Sequence, residues 1–238
     1  MTNPNALTEA QLVTMLTLQE ALNSKVTKNW RDENHDWCVA IVGEAWEAYD
    51  HSGWKWWKDS GKGPDTAQMK MEVIDIWHFL LSEMMMYNIK EGTSYFELIT
   101  DVTSGVDSIL PDLGDATISD VRECLMRLIN SASSHGEHVS ISGLLQHFYV
   151  VMVSMNISWD ELYKLYLAKN ILNEFRQAKG YKQGTYFKTW GGREDNEILT
   201  EIMNTLDVKS STFQTDIMTG LENKYLEVMV QNSVNKFK

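Results

Sequence analysis

Prolines occur only at positions 4, 64 and 111 of this 238-residue chain. Proline removes a backbone donor and clashes with the preceding turn, so its absence from the second half leaves helix open there. Leu, Met, Ala, Glu and Lys fill the proline-free stretches, and all of them favour helix. Apolar residues recur at three- and four-residue steps, and no stretch alternates as a half-buried strand would. The fold class that follows is all-α, a helical bundle with connecting loops and no significant β-sheet.

The spacing predicts helices over 6–24, 36–50, 66–88, 94–104, 118–134 and 140–155, and from Ser158 to Lys179. Weaker helical segments lie near 195–206 and 213–232. Thr8 is a candidate N-cap with Gln11 three residues on, Ser158 another, and Gly180 a helix stop. Gly53, Gly61, Gly63 and Pro64 surround the run Trp54-Lys55-Trp56-Trp57-Lys58, which reads as a loop with a short helical turn. Leu110–Thr117 is turn-rich, and Tyr181–Asn196 reads as a loop.

Hydrophobic residues make up 43% of the chain and charged residues 23%, the balance of a soluble globular protein. The nine Trp and thirteen Met are read mainly as core. A net charge of −12 argues against a general nucleic-acid binder. It suits a protein that gathers carboxylates for metal, or one with an acidic solvated surface. Cys38 and Cys124 form no CxxC pair and, without a signal peptide, fit free thiols in a reducing cytoplasm. No apolar run reaches membrane-spanning length. The expectation is a cytoplasmic protein with no membrane and no nucleic-acid partner.

Glu44 and Glu47 stand three residues apart in one predicted helix, and Glu72 and Asp75 repeat the spacing in another. Residues at i and i+3 share a helix face, so two packed helices would bring four carboxylates to one cleft. An isolated pair of this kind is usually a solvated face. Here Glu72 and Asp75 lie among Met71, Val73, Ile74, Ile76, Trp77 and Phe79, where unpaired charge is costly and must be neutralised. Hard oxygen donors select magnesium or manganese, and two divalent ions would cancel the formal charge of the quartet. A di-iron bundle would need Glu-x-x-His from two helices, and Asp75 with His78 is a single imperfect echo. Gln19 and Asn23 are a further anomaly, because two amides extend the apolar stripe of the first helix by one turn.

The carboxylate pairs, the stretch Glu72-Val-Ile-Asp-Ile-Trp-His-Phe-Leu-Leu-Ser82 and the stretch from Lys169 to Asn196 together resemble the dimeric dUTPases. These belong to the all-α nucleoside triphosphate pyrophosphohydrolases. The resemblance covers roughly residues 12–200. With one domain expected over 1–238 and a C-terminal helical extension over 207–238, it implies that 181–196 is a phosphate-binding closing loop. It also implies a homodimer, Mg2+ (two or more ions, or Mn2+), and hydrolysis of dUTP and dUDP to dUMP by water attacking the phosphate chain.

Carried over residue by residue, the resemblance makes Glu44 the group that orients or deprotonates water, and Glu44, Glu47, Glu72 and Asp75 the metal ligands. Asn173, Arg176, Tyr181, Lys188 and Asn196 match phosphate-contacting positions, while Lys182 reads as a solvated charge. Gln19 and Asn23 would read the uracil edge, since each amide carries donor and acceptor. Trp56 or Trp57 would wall the base pocket, and His78 with Phe79 would select the deoxyribose. Trp46, between the first two glutamates, must find room at a helix interface. Two rival readings are a related enzyme acting on dCTP as well as dUTP, and a non-enzymatic protein that uses the same fold to bind a regulator.

Overall fold

The structure is a computed structural model and describes residues 6–58, 63–87, 92–108, 115–135, 140–207 and 210–235, with side chains to 230. Most of the turn-rich Leu110–Thr117 segment, Gly61 and the predicted helix end at Asn88 lie outside the described residues. The helices are α1 (Glu9–Val26), α2 (Trp37–His51), α3 (Thr66–Met86), α4 (Tyr95–Asp107), α5 (Ile118–Ser133), α6 (Ile141–Ser154), α7 (Trp159–Ala178), α8 (Asp195–Asn204) and α9 (Phe213–Asn235). Each agrees with its predicted span to within a few residues. A short 3₁₀ turn covers Trp30–Asp32. The all-α class holds, with a single two-stranded hairpin, β1 (Thr189–Trp190) and β2 (Arg193–Glu194), as the only sheet among the described residues.

Local chemistry sets the helix boundaries. Thr8 and Gln11 form a capping box at the start of α1, and the Ser158 side chain accepts from the Glu161 amide to start α7. Asp36 and Asp65 cap α2 and α3 in the same way. α7 ends where the Tyr181 amide reaches back to the Arg176 carbonyl at 2.9 Å across Gly180, whose φ is 91°. A side chain there is excluded sterically too, because a Cβ on Gly180 would lie 2.0 Å from Thr185 Oγ1.

α3 is the central element. Thirteen of its 21 residues are buried, so it is apolar nearly all round, and its few polar side chains are enclosed with it. It packs on α2, α1, α7 and α6, and α2 also lies against α5. Trp77 stacks on Phe148 of α6 at 5.1 Å and meets Trp159 edge-on. Buried apolar residues from Leu7 to Tyr225 form one continuous cluster. α9 closes over the chain's second half: Tyr225 lies 5.6 Å from Tyr186 and 4.9 Å from Phe187, both stacked.

Candidate active site

A cavity of about 300 Å³ opens between α1, α2, α3, α7, the Tyr181–Glu194 loop and the start of α8. Oxygens of Glu44, Glu72 and Asp75 lie within 4.8 Å of one another on its wall. Glu72 is buried, and Glu44 and Asp75 are partly so. Glu47 also borders the cavity but is exposed, at the rim. Burial first, then the charges of Asp75, Glu72 and Glu47, push the Glu44 carboxyl up to about 8, against the pull of Lys169. Such crowding of oxygen donors on an excess of negative charge fits a hard divalent cation. His51, half-exposed, stands 3.6 Å from Glu72, and that contact raises its pKa.

Lys169, Asn173 and Arg176 occupy one face of α7, at i, i+4 and i+7. Lys169 is fully buried; its Nζ lies 2.7 Å from Asp75 Oδ2 and donates to Asn196 Oδ1 at 2.8 Å. Arg176 forks onto Asp195 with bonds of 2.9 and 2.7 Å and donates to Asn173 Oδ1 at 3.1 Å. Asp195 is wholly enclosed and also accepts from Tyr186 at 2.6 Å. Burial would raise its pKa, but the Arg176 contacts and the Tyr186 hydroxyl hold it below the usual carboxylate range. Across the opening, Lys188 places its ammonium 5.7 Å above the exposed Tyr181 ring. The Gly191–Gly192 turn joins β1 to β2 with positive φ at both residues, which turns the chain back so that Asn196 reaches Lys169.

On the opposite wall, Gln19 Nε2 donates to Asn23 Oδ1 at 2.9 Å and to Ser82 Oγ at 3.2 Å, and Asn23 Nδ2 donates to Ser82 Oγ at 2.9 Å. The Ser82 proton goes to the His78 carbonyl at 3.0 Å. The Tyr166 hydroxyl, bound to the Met15 carbonyl, stands 3.2 Å from Gln19 Oε1. One turn before Ser82, His78 Nδ1 faces the Ile74 carbonyl at 2.8 Å and therefore carries the ring proton. Its Nε2 is a buried acceptor with no partner among the described residues. Burial brings the imidazole down to about 4, against the pull of Asp75, so it is neutral at pH 7.

A family model described as dUTPase matches residues 11–181, from α1 through the end of α7. The chain belongs to the dimeric, all-α dUTPase family. Its activity is therefore that of a dUTP diphosphatase. No curated protein matches the sequence. The family match stops at Tyr181, so Lys188 and Asn196 stand on their place in the cavity alone.

Thirteen of the fifteen site residues expected from the dUTPase resemblance border this one cavity; Trp56 and Trp57 do not. Trp56 is 88% and Trp57 54% exposed. They belong instead to an edge-to-face ladder with Trp54 and Trp46 on the outside of α2. Trp46 itself is stacked on Tyr49 and exposed, so the expectation that it packs at a helix interface is corrected. The indoles that do border the cavity are Trp30 and Trp37, the second lying 6.1 Å from the Phe79 ring. Trp37 sits two turns before Glu44 on the same face of α2, a spacing that would have revealed it. Lys169 was likewise discoverable from its i+4 and i+7 relation to Asn173 and Arg176. Lys182, expected as a solvated charge, donates to the Val26 carbonyl at the end of α1.

Proposed function

We propose that this dUTPase-family chain converts dUTP, and also dUDP, to dUMP with magnesium as its activating ion, manganese being the natural substitute. The observation that carries the proposal is a shared cavity. The carboxylates of Glu44, Glu72 and Asp75 converge in the space that also receives the Gln19–Asn23 amides and the polar face of α7. Glu44, Glu47, Glu72 and Asp75 would hold the metal, which when bound neutralises phosphate charge and lowers the pKa of coordinated water.

The remaining work falls to the chain's own groups. Glu44 orients the attacking water and accepts its proton, a task suited to a carboxylate placed beside the metal and the phosphate chain. Asn173, Arg176, Tyr181, Lys188 and Asn196 donate to phosphate oxygens, with the Arg176 guanidinium held in place by Asp195. Lys169 adds a buried positive charge beside Asp75. Gln19 and Asn23 present the base with donor and acceptor together, and Trp30 and Trp37, rather than Trp56 and Trp57, wall the base pocket. His78 Nε2 accepts from a sugar hydroxyl, and Phe79 fills the space that a 2′-hydroxyl would need.

Formation of dUMP from dUTP and dUDP, followed by chromatography with and without Mg2+, tests this reading beside dCTP, dTTP and UTP. Turnover of dUTP and dUDP that stops with EDTA is expected, with little product from the others. Comparable turnover of dCTP would replace strict uracil selection by the broader pyrimidine reading. Glu44→Gln and Glu72→Gln should lower the rate about 10²-fold or more with circular dichroism unchanged. Full activity in either variant would sink the mechanism and favour the regulator-binding alternative. The family is typically dimeric, and we assign this chain the same state, with exposed Val39 and Trp46 among the apolar surface a second copy could cover. Sedimentation equilibrium at twice the chain mass is the expected result.

A further inference from the structure

Away from the carboxylate site, Cys38 in the first turn of α2, Glu83 near the end of α3 and His135 just beyond α5 converge. The thiol sulfur, a carboxylate oxygen and an imidazole nitrogen lie within 4.8 Å of one another. His135 Nε2 and Glu83 Oε1 are 3.0 Å apart, with side chains only 8% and 18% exposed. Helices α2 and α3 and the turn after α5 supply the three donors, so the grouping is a product of tertiary packing and not of a local sequence motif. Cys38 is a free thiol, and the phosphate chemistry draws on none of the three.

We propose that Cys38, Glu83 and His135 form a second metal site that binds Zn2+. Sulfur, nitrogen and a single carboxylate suit a borderline-soft ion, whereas magnesium takes oxygen alone. Three protein donors leave a fourth position for water, the arrangement of an open zinc site. Asp36, two residues before Cys38, adds negative potential that favours a cation. Binding converts the Cys38 thiol to a zinc-bound thiolate and releases one proton to solvent, so affinity rises with pH. The ion would tie the start of α2 to the ends of α3 and α5. Trp37 and Phe79, both bordering the active-site cavity, stand beside Cys38 and one turn before Glu83, so the cavity wall would stiffen with it.

Cobalt(II) reports the site without recourse to enzyme activity. The intact chain, kept reduced, is titrated with Co2+ while the near-ultraviolet thiolate-to-cobalt charge-transfer band is recorded. A band that saturates at one ion per chain and is displaced by Zn2+ is expected. It should survive in Glu72→Gln, because the carboxylate site contains no sulfur. It should vanish in Cys38→Ser, and His135→Gln should weaken Zn2+ binding at least tenfold, since even loss of an outer-shell partner costs about 10–100-fold. Absence of the band in the wild-type chain overturns the proposal whatever the variants do. So does a band that persists in folded Cys38→Ser, which would trace to Cys124.

Discussion

The Ser82 hydroxyl accepts from the Asn23 amide at 2.9 Å while its own proton is held by the His78 carbonyl at 3.0 Å. With that proton used, Ser82 can only accept, so the atoms of Gln19 and Asn23 turned toward it must be their NH2 groups. Both amides are thereby locked in one of their two orientations. Asn23 keeps one free N–H and one free lone pair, a donor and acceptor of fixed order at the cavity wall.

Ser82→Ala should therefore loosen base selection more than catalysis. A net hydrogen bond of about 0.5–1.5 kcal/mol sets the scale, so the ratio of kcat/KM for dUTP over dCTP should fall by up to about tenfold. Competition assays with the two nucleotides measure it. An unchanged ratio would mean that Ser82 has no part in orienting the amides.

Lys169 and Asp75 form an ion pair with the lysine fully enclosed. Lys169→Met leaves Asp75 among Glu44 and Glu72 without its counter-charge. Breaking a buried pair from one side costs about 3 kcal/mol at the low end of the usual range. Urea unfolding in EDTA should show that loss, and Mg2+ should restore much of it, because a divalent ion takes over the neutralisation.

In the metal-free protein Glu44 faces Glu47 on its own helix, Glu72 and Asp75 on α3, and Lys169 on α7. Its folded pKa of about 8 exceeds the ordinary 4.5, so between those values the folded state holds more proton than the unfolded chain. Stability in EDTA should accordingly fall as pH rises from about 4.5 to 8. Added Mg2+ competes with that proton, so the cation should raise Tm more at pH 8 than at pH 6. Thermal melts at the two pH values, with and without the ion, decide it.

Arg176 depends on Asp195 for its position. Asp195→Asn keeps the shape but leaves the guanidinium buried without a counter-charge, at a cost of about 3 kcal/mol. KM for dUTP should rise with it. The Asp195 pKa lies below its unfolded value of 3.8, so its contribution is fully present above that pH and lost as pH falls through the lower folded value. The stability gap between wild type and variant should thus be constant at neutral pH and narrow in strong acid.

Much of the helical frame was legible in the chain because its signals are local. Capping residues such as Thr8, Asp36 and Ser158 act within a few positions, and the i, i+3 spacing of Glu44 with Glu47, and of Glu72 with Asp75, is a property of one helix. The tryptophans show the limit. Trp56 and Trp57 lie in a loop, where nothing local tells which side faces inward, whereas Trp37 lies on α2 in step with Glu44 and borders the cavity. Lys169 shares its helix face with Asn173 and Arg176 by spacing alone, but its partner Asp75 is 94 positions away, and that pairing exists only once α7 is laid against α3.

The sequence by itself thus determined the helices, their caps and the pairing of acidic residues on helix faces, since all of these depend on periodicity and nearest-neighbour hydrogen bonding. Tertiary structure decided which carboxylates converge, with Glu44, Glu72 and Asp75 together and Glu47 at the rim. It also decided the locking of Gln19 and Asn23 by Ser82, the enclosure of Lys169, and the meeting of Cys38, Glu83 and His135. Each of these relations joins residues on separate helices, and their distances exist only once α3 is buried between its neighbours.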